Sequence, residues 1–429
     1  MKYAFYTLGC KVNQYETQAM EQWLVEKGHT LHDFEEACDC YIINTCTVTA
    51  VADKKNRNII RRCRKLNPDA VIGVCGCYAQ LKSDEVAALG VDVVSGSAGR
   101  EAFLELMEEA ARTRQQKISV DDALRRRSFE ILPAGGLSVR TRAMLKVQDG
   151  CCNFCTYCII PFARGPVRSL PIAEAVRQAK ELAADGYREI VITGIEIASW
   201  GVDFKDGSSL ADLLQAVLAA VPDTRIRLGS LEPRVIDGRL CRILQGHKNL
   251  CPQFHLSMQS GSDTVLKRMN RRYDTARYYE SVALLREYFP GCAVTTDMIV
   301  AFPGETEAEF EESLAFIRKC GFAAMHIFPY SRRPGTKADA MPGQHNNAVK
   351  QARSAAAIAV ADEMTQAYLE NLVGSTQMVL FEEMADDCAT GHAPNLVRVY
   401  VRGDDLHNQV RPVRIAGLYR DGVIGELCN

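Results

Sequence analysis

No stretch of this 429-residue chain approaches the roughly 20 consecutive apolar residues that a membrane helix requires, so a helical membrane protein is excluded. The N-terminus, MKYAFYTLGC, lacks the apolar region and cleavage site of a secretory leader. The expected location is therefore cytoplasmic, with no membrane partner. Net charge is also scarce. Lys and Arg number 51 against 53 Asp and Glu, leaving −2, which argues against a dedicated nucleic-acid binder of the usual basic kind. No short internal repeat or low-complexity tract stands out, which excludes solenoids and disordered tracts.

Cysteine, by contrast, is abundant, at 17 residues. In a reducing compartment these do not form a disulfide framework. They read as metal ligands, reactive thiols or small buried hydrophobes. The 47% hydrophobic and 24% charged content is that of an ordinary globular protein, and the length suits two or three domains. Charge is uneven along the chain: residues 112–142 hold eight Arg or Lys against Asp121, Asp122 and Glu130, and Arg61, Arg62, Arg64 and Lys65 form a second basic run. Such patches can contact phosphates, but on charge alone a solvated linker and a solvated helix face are the preferred reading.

The hydrophobic pattern divides the chain into an α/β protein of three parts. Residues 1–111 alternate short apolar strands (Lys2–Leu8, Tyr41–Asn44, Val71–Val74, Val91–Val94) with helical stretches, predicting a small doubly wound parallel sheet. Residues 112–142 read as a basic linker ending in Pro133-Ala-Gly-Gly136. Residues 143–372 repeat strand-then-helix six times, with strands near Met144–Val147, Glu189–Thr193, Arg225–Gly229, Phe254–Met258, Val294–Ala301 and Met325–Pro329. Six units predict a partial (β/α)6 barrel rather than the closed eight-fold one. Residues 373–429 carry four short alternating segments, predicting a small all-β barrel. Its five Arg against eight acids give no charge-based support for RNA binding.

Cys151, Cys155 and Cys158, in Asp149-Gly-Cys-Cys-Asn-Phe-Cys-Thr-Tyr-Cys158, have the spacing C-x3-C-x2-C. A compact loop of this kind can aim three thiolates at one iron–sulfur cube. Three ligands leave the fourth iron open, by the logic that separates catalytic from structural metal sites. An open iron could chelate the amino and carboxylate groups of S-adenosylmethionine, and an electron from the cluster would then split the sulfonium C–S bond to give a 5′-deoxyadenosyl radical. The loop follows the first barrel strand, at the face where such barrels place their chemistry. A zinc site with Cys152 as fourth ligand is the alternative, and Cys152 reads as a bystander.

Cys10, Cys46 and Cys77 each follow the C-terminal end of a predicted parallel strand, one β-α repeat apart. Strand ends of a doubly wound sheet line one crevice, so these thiols should converge. Buried cysteines at strand ends are the plainer alternative. Cys75 competes with Cys77, which is preferred because it follows Gly76; Cys38, Cys40 and Cys63 read as structural.

The stretch Cys151-Cys-Asn-Phe-Cys-Thr-Tyr-Cys-Ile-Ile-Pro-Phe-Ala-Arg-Gly-Pro-Val-Arg168 resembles the cofactor loop of the radical S-adenosylmethionine tRNA methylthiotransferases. Thr7-Leu-Gly-Cys10-Lys-Val-Asn-Gln14, Ile43-Asn-Thr-Cys46-Thr-Val-Thr49 and Gly76-Cys77-Tyr-Ala-Gln80 are similar to the three N-terminal motifs of that family. The resemblance spans essentially the whole chain. It implies two [4Fe-4S] clusters, one held by Cys151, Cys155 and Cys158 and an auxiliary one by Cys10, Cys46 and Cys77, together with S-adenosylmethionine as methyl donor and radical source. It also implies a TRAM-like RNA-binding domain at the C-terminus and an electron donor such as flavodoxin or ferredoxin. Lys11-Val-Asn-Gln14 looks like the branch acting on N6-threonylcarbamoyladenosine at position 37 of tRNA, where C2 of the adenine gains a methylthio group.

Other polar residues follow predicted barrel strands: Gly194 and Glu196, Glu232, and Gln259. Glycine at a strand end admits close backbone approach to a ligand. Glu232 and Gln259 could hold ribose hydroxyls and Arg168 the cofactor carboxylate, although strand-end polar residues are also ordinary turn chemistry. His326, Tyr330 and Arg332 follow the last strand and could line the adenine or substrate side, with a core or surface role the plainer reading of His326. Two other functions share parts of this pattern. One is methylthiolation of a ribosomal-protein aspartate, with both clusters kept. The other is a non-catalytic metal-binding RNA adaptor, with zinc at the cysteines.

Overall fold

The computed structural model describes residues 1–47, 50–136 and 141–428. Val48 and Thr49 of the second N-terminal motif lie outside the described residues, as does 137–140 of the expected linker.

Strands β1 (Lys2–Thr7), β2 (Thr30–Leu31), β3 (Cys40–Thr45), β4 (Val71–Gly76), β5 (Val93–Ser95) and β6 (Lys117–Ser119) form one parallel sheet in the order β2-β1-β3-β4-β5-β6. Helices α1 (Lys11–Glu26), α2 (Ala50–Leu66), α3 (Cys77–Leu81), α4 (Ser83–Ala87) and α5 (Arg100–Thr113) lie in the crossovers. Successive residues of a strand point to opposite faces. Thus Tyr41 and Ile43 of β3 pack with Ile60 of α2 on one side, while Cys40 and Ile42 pack with Met20 of α1 and Phe103 of α5 on the other. Both faces are covered, which is why β3 and β4 read as continuous apolar runs. The strand order reverses between β1 and β3, and ligands of such sheets bind in the crevice at that switch point.

The described part of the segment expected to be a linker is folded. It supplies β6 as a sixth strand, and Leu132 is buried against Tyr15 and Ala19 of α1, with the Tyr15 hydroxyl donating to the Leu132 carbonyl at 2.8 Å. Its strand, Lys-Ile-Ser, is too short and polar to show a period-2 pattern.

The next strands are β7 (Arg142–Lys146), a two-residue antiparallel ribbon of β8 (Gln148–Asp149) with β9 (Arg168–Ser169), β10 (Glu189–Thr193), β11 (Arg225–Leu228), β12 (Gln253–His255), β13 (Ala293–Val300) and β14 (Ala324–Pro329). Parallel sheets β11-β10-β7 and β12-β13-β14 are joined by parallel bridges Ile226–Leu250 and Leu231–Leu256 into an open arc. Ala143, Leu145, Ile190, Ile192, Ile226 and Leu228 pack outward under the helices and make the main core. The helices carry their own boundary signals. Glu307–Cys320 opens with a capping box, Thr306 N–H to the Glu309 carboxylate at 2.8 Å and Glu309 N–H to the Thr306 hydroxyl at 3.2 Å, and closes on Gly321 at φ +59°.

Strands β15 (Thr376–Ala385), β16 (Cys388–His392), β17 (Arg398–Arg402), β18 (Val410–Tyr419) and β19 (Gly422–Leu427) close into a barrel. Only four of the five have a sequence signature; β16, Cys-Ala-Thr-Gly-His, lacks alternating β-branched residues. This barrel sits against the arc through Arg142 to Glu382 (2.5 Å) and Arg227 to the Pro394 carbonyl (2.9 Å).

Candidate metal centre and cofactor cavity

Cys10, Cys46 and Cys77 emerge from the ends of the three adjacent strands β1, β3 and β4. Two glycines in the left-handed region make the turns. At Gly9 (φ +108°) a Cβ would sit 2.8 Å from the Cys46 Cβ and 3.0 Å from its sulfur. At Gly76 (φ +97°) a Cβ would meet the Thr45 carbonyl at 2.4 Å. Only glycine allows this approach. Asn13 stitches the turn, donating to the carbonyls of Leu8 (2.8 Å) and Thr45 (2.9 Å) while its own carbonyl oxygen lies 3.8 Å from the Cys10 sulfur. Asn56 donates to the Cys46 carbonyl at 2.6 Å. Cys10 is exposed; Cys46 and Cys77 are buried. Cys75 packs in the core with Tyr3, Ile42 and Phe103, which removes it as a rival to Cys77. Cys38, Cys40 and Cys63 also lie in the sheet's two cores.

The second trio sits on the loop after β8. Phe154, at φ +47°, turns the loop, and its ring meets Phe162 edge-on. Thr156 fastens it: its N–H donates to the Met269 carbonyl (3.0 Å), its hydroxyl to the Arg268 carbonyl (2.9 Å), and its carbonyl accepts from Ala338 (2.8 Å). Cys151, Cys155 and Cys158 line a cavity of about 250 Å³, and Cys10 lines the same cavity. Cys152 faces a separate depression with Pro166 and Val202, so it is the bystander. Burial pushes the Cys151 and Cys158 thiols up to about 12, and the neighbouring cysteines add to the rise. A metal must displace those protons, because the thiolate is the ligand.

Among the described residues, no three His, Cys, Asp or Glu side chains converge tightly enough to hold one metal ion. Around a single ion with bonds of ~2.3 Å, thiolates stand roughly 4 Å apart. A four-iron cube spreads them over different irons. The all-sulfur donor sets fit such cubes, the loop trio lining open space and the strand-end trio reaching that space through Cys10.

Gly194, Glu196, Glu232 and Gln259 all line the cavity beside Cys151, Cys155 and Cys158. A Cβ on Gly194 would stand 2.8 Å from the Gln148 carbonyl. Gln259 holds φ +69° and bridges to Met298. Burial raises the Glu196 carboxyl, and the like charge of Glu232 raises it further. Arg168 is not in the cavity. Its guanidinium donates to the carbonyls of Arg164 (3.0 Å) and Pro166 (2.7 Å) and faces Asp149 at 3.4 Å, because the β8–β9 ribbon turns it beneath the loop. Arg271 takes the cavity position instead, 3.3 Å from the Cys155 sulfur and donating to the Ser257 carbonyl at 3.2 Å. The sequence offered only the basic pair Arg271-Arg272 as a signal. His326 is exposed, Tyr330 is packed with Phe302 and Val265, and Arg332 is tied to Asp339 on the surface. Its neighbour Arg333 is the buried one, bound to Asp53 and Thr47 of the N-terminal unit.

Between the two trios lies a buried charge cluster that the sequence did not announce. Glu16 accepts from Arg100 (2.6 Å), Lys146 (3.0 Å) and Arg164. Arg164, on α6 (Ile160–Arg164), also donates to the Cys77 sulfur at 3.2 Å and to Asn13 at 2.7 Å. Burial alone would raise the Glu16 carboxyl, but Arg100, Arg164 and Lys146 hold it well below the usual carboxylate range.

An open six-stranded arc with a three-thiol loop at its C-terminal face defines the class of radical S-adenosylmethionine proteins, and the Radical SAM superfamily matches residues 145–317. Residues 2–96 match the family described as Uncharacterized protein family UPF0004. The chain is 41% identical, over 96% of its length and 93% of the relative's, to the threonylcarbamoyladenosine tRNA methylthiotransferase MtaB of Bacillus subtilis. It is 36% identical to the MtaB of Thermotoga maritima, covering 97% and 95% of the two chains. It is also 36% identical, over 90% and 84%, to the tRNA-2-methylthio-N(6)-dimethylallyladenosine synthase of Oleidesulfovibrio alaskensis. The chain belongs to the radical S-adenosylmethionine tRNA methylthiotransferases, enzymes that use S-adenosylmethionine and two [4Fe-4S] clusters. Among solved structures, the radical methyltransferase TsrM of Kitasatospora setae shares the fold, with a TM-score of 0.56 at 15% identity over 91% of this chain and 80% of that one.

Proposed function

We propose that this enzyme methylthiolates C2 of N6-threonylcarbamoyladenosine at position 37 of tRNA. The carrying observation is that Cys10 shares one cavity with Cys151, Cys155 and Cys158, so a base admitted there meets the loop trio and one thiol of the strand-end trio. The substrate assignment draws on the 41% identity to an enzyme named for that nucleoside.

When bound, the loop cluster supplies an open iron for S-adenosylmethionine and the electron that cleaves it, and the auxiliary cluster supplies or holds the sulfur. The protein's part is orientation and exclusion of water. In the cavity Arg271 would hold the carboxylate of the cofactor, Glu232 and Gln259 would hold its ribose, and Gly194 would admit it close to the backbone. The C-terminal barrel, TRAM-like in architecture, carries the RNA, and a flavodoxin or ferredoxin delivers the electron. An aromatic C2–H is neither acidic nor open to nucleophiles, so an oxidising radical is the chemistry such a site must serve.

Mass spectrometry of tRNA nucleosides from cells lacking the protein tests the assignment. Loss of the 2-methylthio derivative of threonylcarbamoyladenosine, with its dimethylallyl counterpart intact, is the expected result; an unchanged level rejects it.

A further inference from the structure

The arc has two edge strands, β7 and β14, and among the described residues neither is paired on its outer side. The N-terminal unit spans the gap between them at the C-terminal face. Glu16 of α1 binds Lys146 at the end of β7 (3.0 Å), and Asp53 of α2 binds Arg333 just past β14 (2.8 Å).

Side chains of β14 alternate between the two sides of the arc. Met325 and Ile327 pack into the core under the helices, with Ala357 and Val360. His326 and Phe328 therefore face the concave side. The same alternation in β13 puts Val294, Met298 and Val300 under the helices and turns Thr295, Asp297 and Ile299 inward. His255 of β12 meets Thr295 at 3.1 Å and Asp297 at 3.3 Å on that inner face. The inner wall is thus polar along these strands and apolar at their C-terminal end, where Ile299 stands beside Phe328 in register.

Phe328 is 48% exposed, and among the described residues of strands β7–β14 it is the one large apolar side chain left exposed. Its ring lies 6.4 Å from that of His326, tilted by 40°. A closed barrel fills its interior with packed side chains, and this open one does not cover the Phe328 ring. The wall adjoins the cluster cavity. Ile299 donates its N–H to the Gln259 carbonyl at 2.8 Å and packs in one small apolar cluster with Tyr157. Gln259 and Tyr157 both line the cavity that holds Cys10 and Cys158.

The occupant follows from shape and chemistry. A concave wall inside the arc admits a splayed-out nucleotide but not the convex face of an electron-carrier protein. The enzyme acts on tRNA, and a base of a single-stranded loop offers a flat face that stacks on aromatic side chains. We propose that the Phe328 ring is the stacking platform for the target adenine, holding the base against the inner wall beside the cluster cavity. The inference rests on the reading that the nucleoside at position 37 enters this cavity.

The test uses reconstituted holoenzyme and anticodon stem-loop RNAs, labelled at the 5′ end, with adenosine or an abasic site at position 37. Fluorescence anisotropy gives the affinities. Wild-type enzyme should prefer the adenosine RNA, and Phe328→Leu should cut that preference by about 5- to 100-fold, the range of one base–aromatic stack. Affinity for the abasic RNA should stay the same, because the lost partner is the base itself. Phe328→Tyr, which keeps the ring, should behave as wild type. Three results overturn the inference. One is a Phe328→Leu variant that keeps the full preference. Another is equal loss for both RNAs, which puts the ring against a different part of the RNA. The third is unchanged RNA affinity with slower reduction of the loop cluster by flavodoxin, which gives the ring to the electron carrier. The proposed function fails separately, if wild-type enzyme forms no methylthio product, by mass spectrometry, on a stem-loop carrying threonylcarbamoyladenosine.

Discussion

The Arg164 guanidinium donates to the Cys77 sulfur at 3.2 Å, and the two residues belong to different halves of the molecule. Arg164 ends the short helix that follows Cys158, and Cys77 begins the helix after β4. One side chain therefore links the loop of one trio to a thiol of the other, and Glu16 and Asn13 hold it in place. A hydrogen bond and a positive charge at a ligating sulfur favour the reduced, more negative cluster. Arg164→Ala should lower the midpoint potential of the auxiliary cluster. A charged hydrogen bond of about 1.5–3 kcal/mol corresponds to roughly 60–130 mV for one electron. EPR-monitored redox titration reads this directly, and an unshifted potential refutes the coupling.

Glu16 has no exposed side-chain surface and is surrounded by Arg100, Lys146 and Arg164. Glu16→Gln leaves three cations around a neutral amide, and breaking a buried charge cluster this way costs about 3–5 kcal/mol. Chemical denaturation should show the loss, mainly as dissociation of the N-terminal unit from the arc. Asp149 gives the matching pH dependence. Burial would raise its carboxyl, but Lys146, Arg164 and Arg168 bring it down to about 2. A depressed carboxyl contributes stability that is complete above its unfolded value of about 4 and fades as pH falls toward 2. Asp149→Asn should flatten acid unfolding across that window.

Much of this was legible in the chain because strand ends, glycines and cysteine spacing are local signals. The spacing puts Cys151, Cys155 and Cys158 on one loop, and the β-α period puts Cys10, Cys46 and Cys77 at the ends of adjacent strands, which is where the structure has them. Glu189–Thr193 has in the structure the limits that its apolar pattern predicts. What failed depended on tertiary direction. Arg168 lies in the cofactor motif, yet the β8–β9 ribbon turns it to Asp149; Arg271 lies 113 positions beyond Cys158 in no motif, yet a turn returns it to Cys155. Glu16 reads as an ordinary helix residue because its partners Arg100, Lys146 and Arg164 come from three distant segments. β6 and β16 are too short or too small-residued to register as strands.

Gly76 is held at φ +97°, where a Cβ would collide with the Thr45 carbonyl at 2.4 Å and the Asn44 side-chain oxygen at 2.6 Å. Those atoms belong to β3, one and two residues before Cys46. Gly76→Ala should therefore push β3 and β4 apart at the point where Cys46 and Cys77 must converge. The expected outcome is a chain that loads about four iron atoms rather than about eight, losing the auxiliary cluster while the loop cluster remains. Anaerobic iron and sulfide analysis measures it. Gly90→Ala is the control, since nothing lies near its Cβ although its φ is +75°, and it should retain both clusters with only local strain.

Arg271 and Arg168 separate cofactor binding from structure. Arg271 is in the cavity at 3.3 Å from the Cys155 sulfur, while Arg168 is buried beneath the loop with its donors spent on carbonyls and Asp149. Arg271→Ala should weaken S-adenosylmethionine binding to the cluster-loaded enzyme by about 10- to 100-fold, the effect of losing one charge-assisted contact, and should also lower stability because its contacts with Tyr273 and the Ser257 carbonyl are lost. Arg168→Met should lower stability by about 2–3 kcal/mol, because Asp149 loses a buried partner and two carbonyls lose their donor, while keeping cofactor affinity within a few-fold of wild type. Isothermal titration calorimetry with the cofactor and denaturant unfolding on both variants give the four measurements. If Arg168→Met abolishes binding at unchanged stability, the carboxylate contact belongs to Arg168 as its motif suggests, and the cavity position of Arg271 has another purpose.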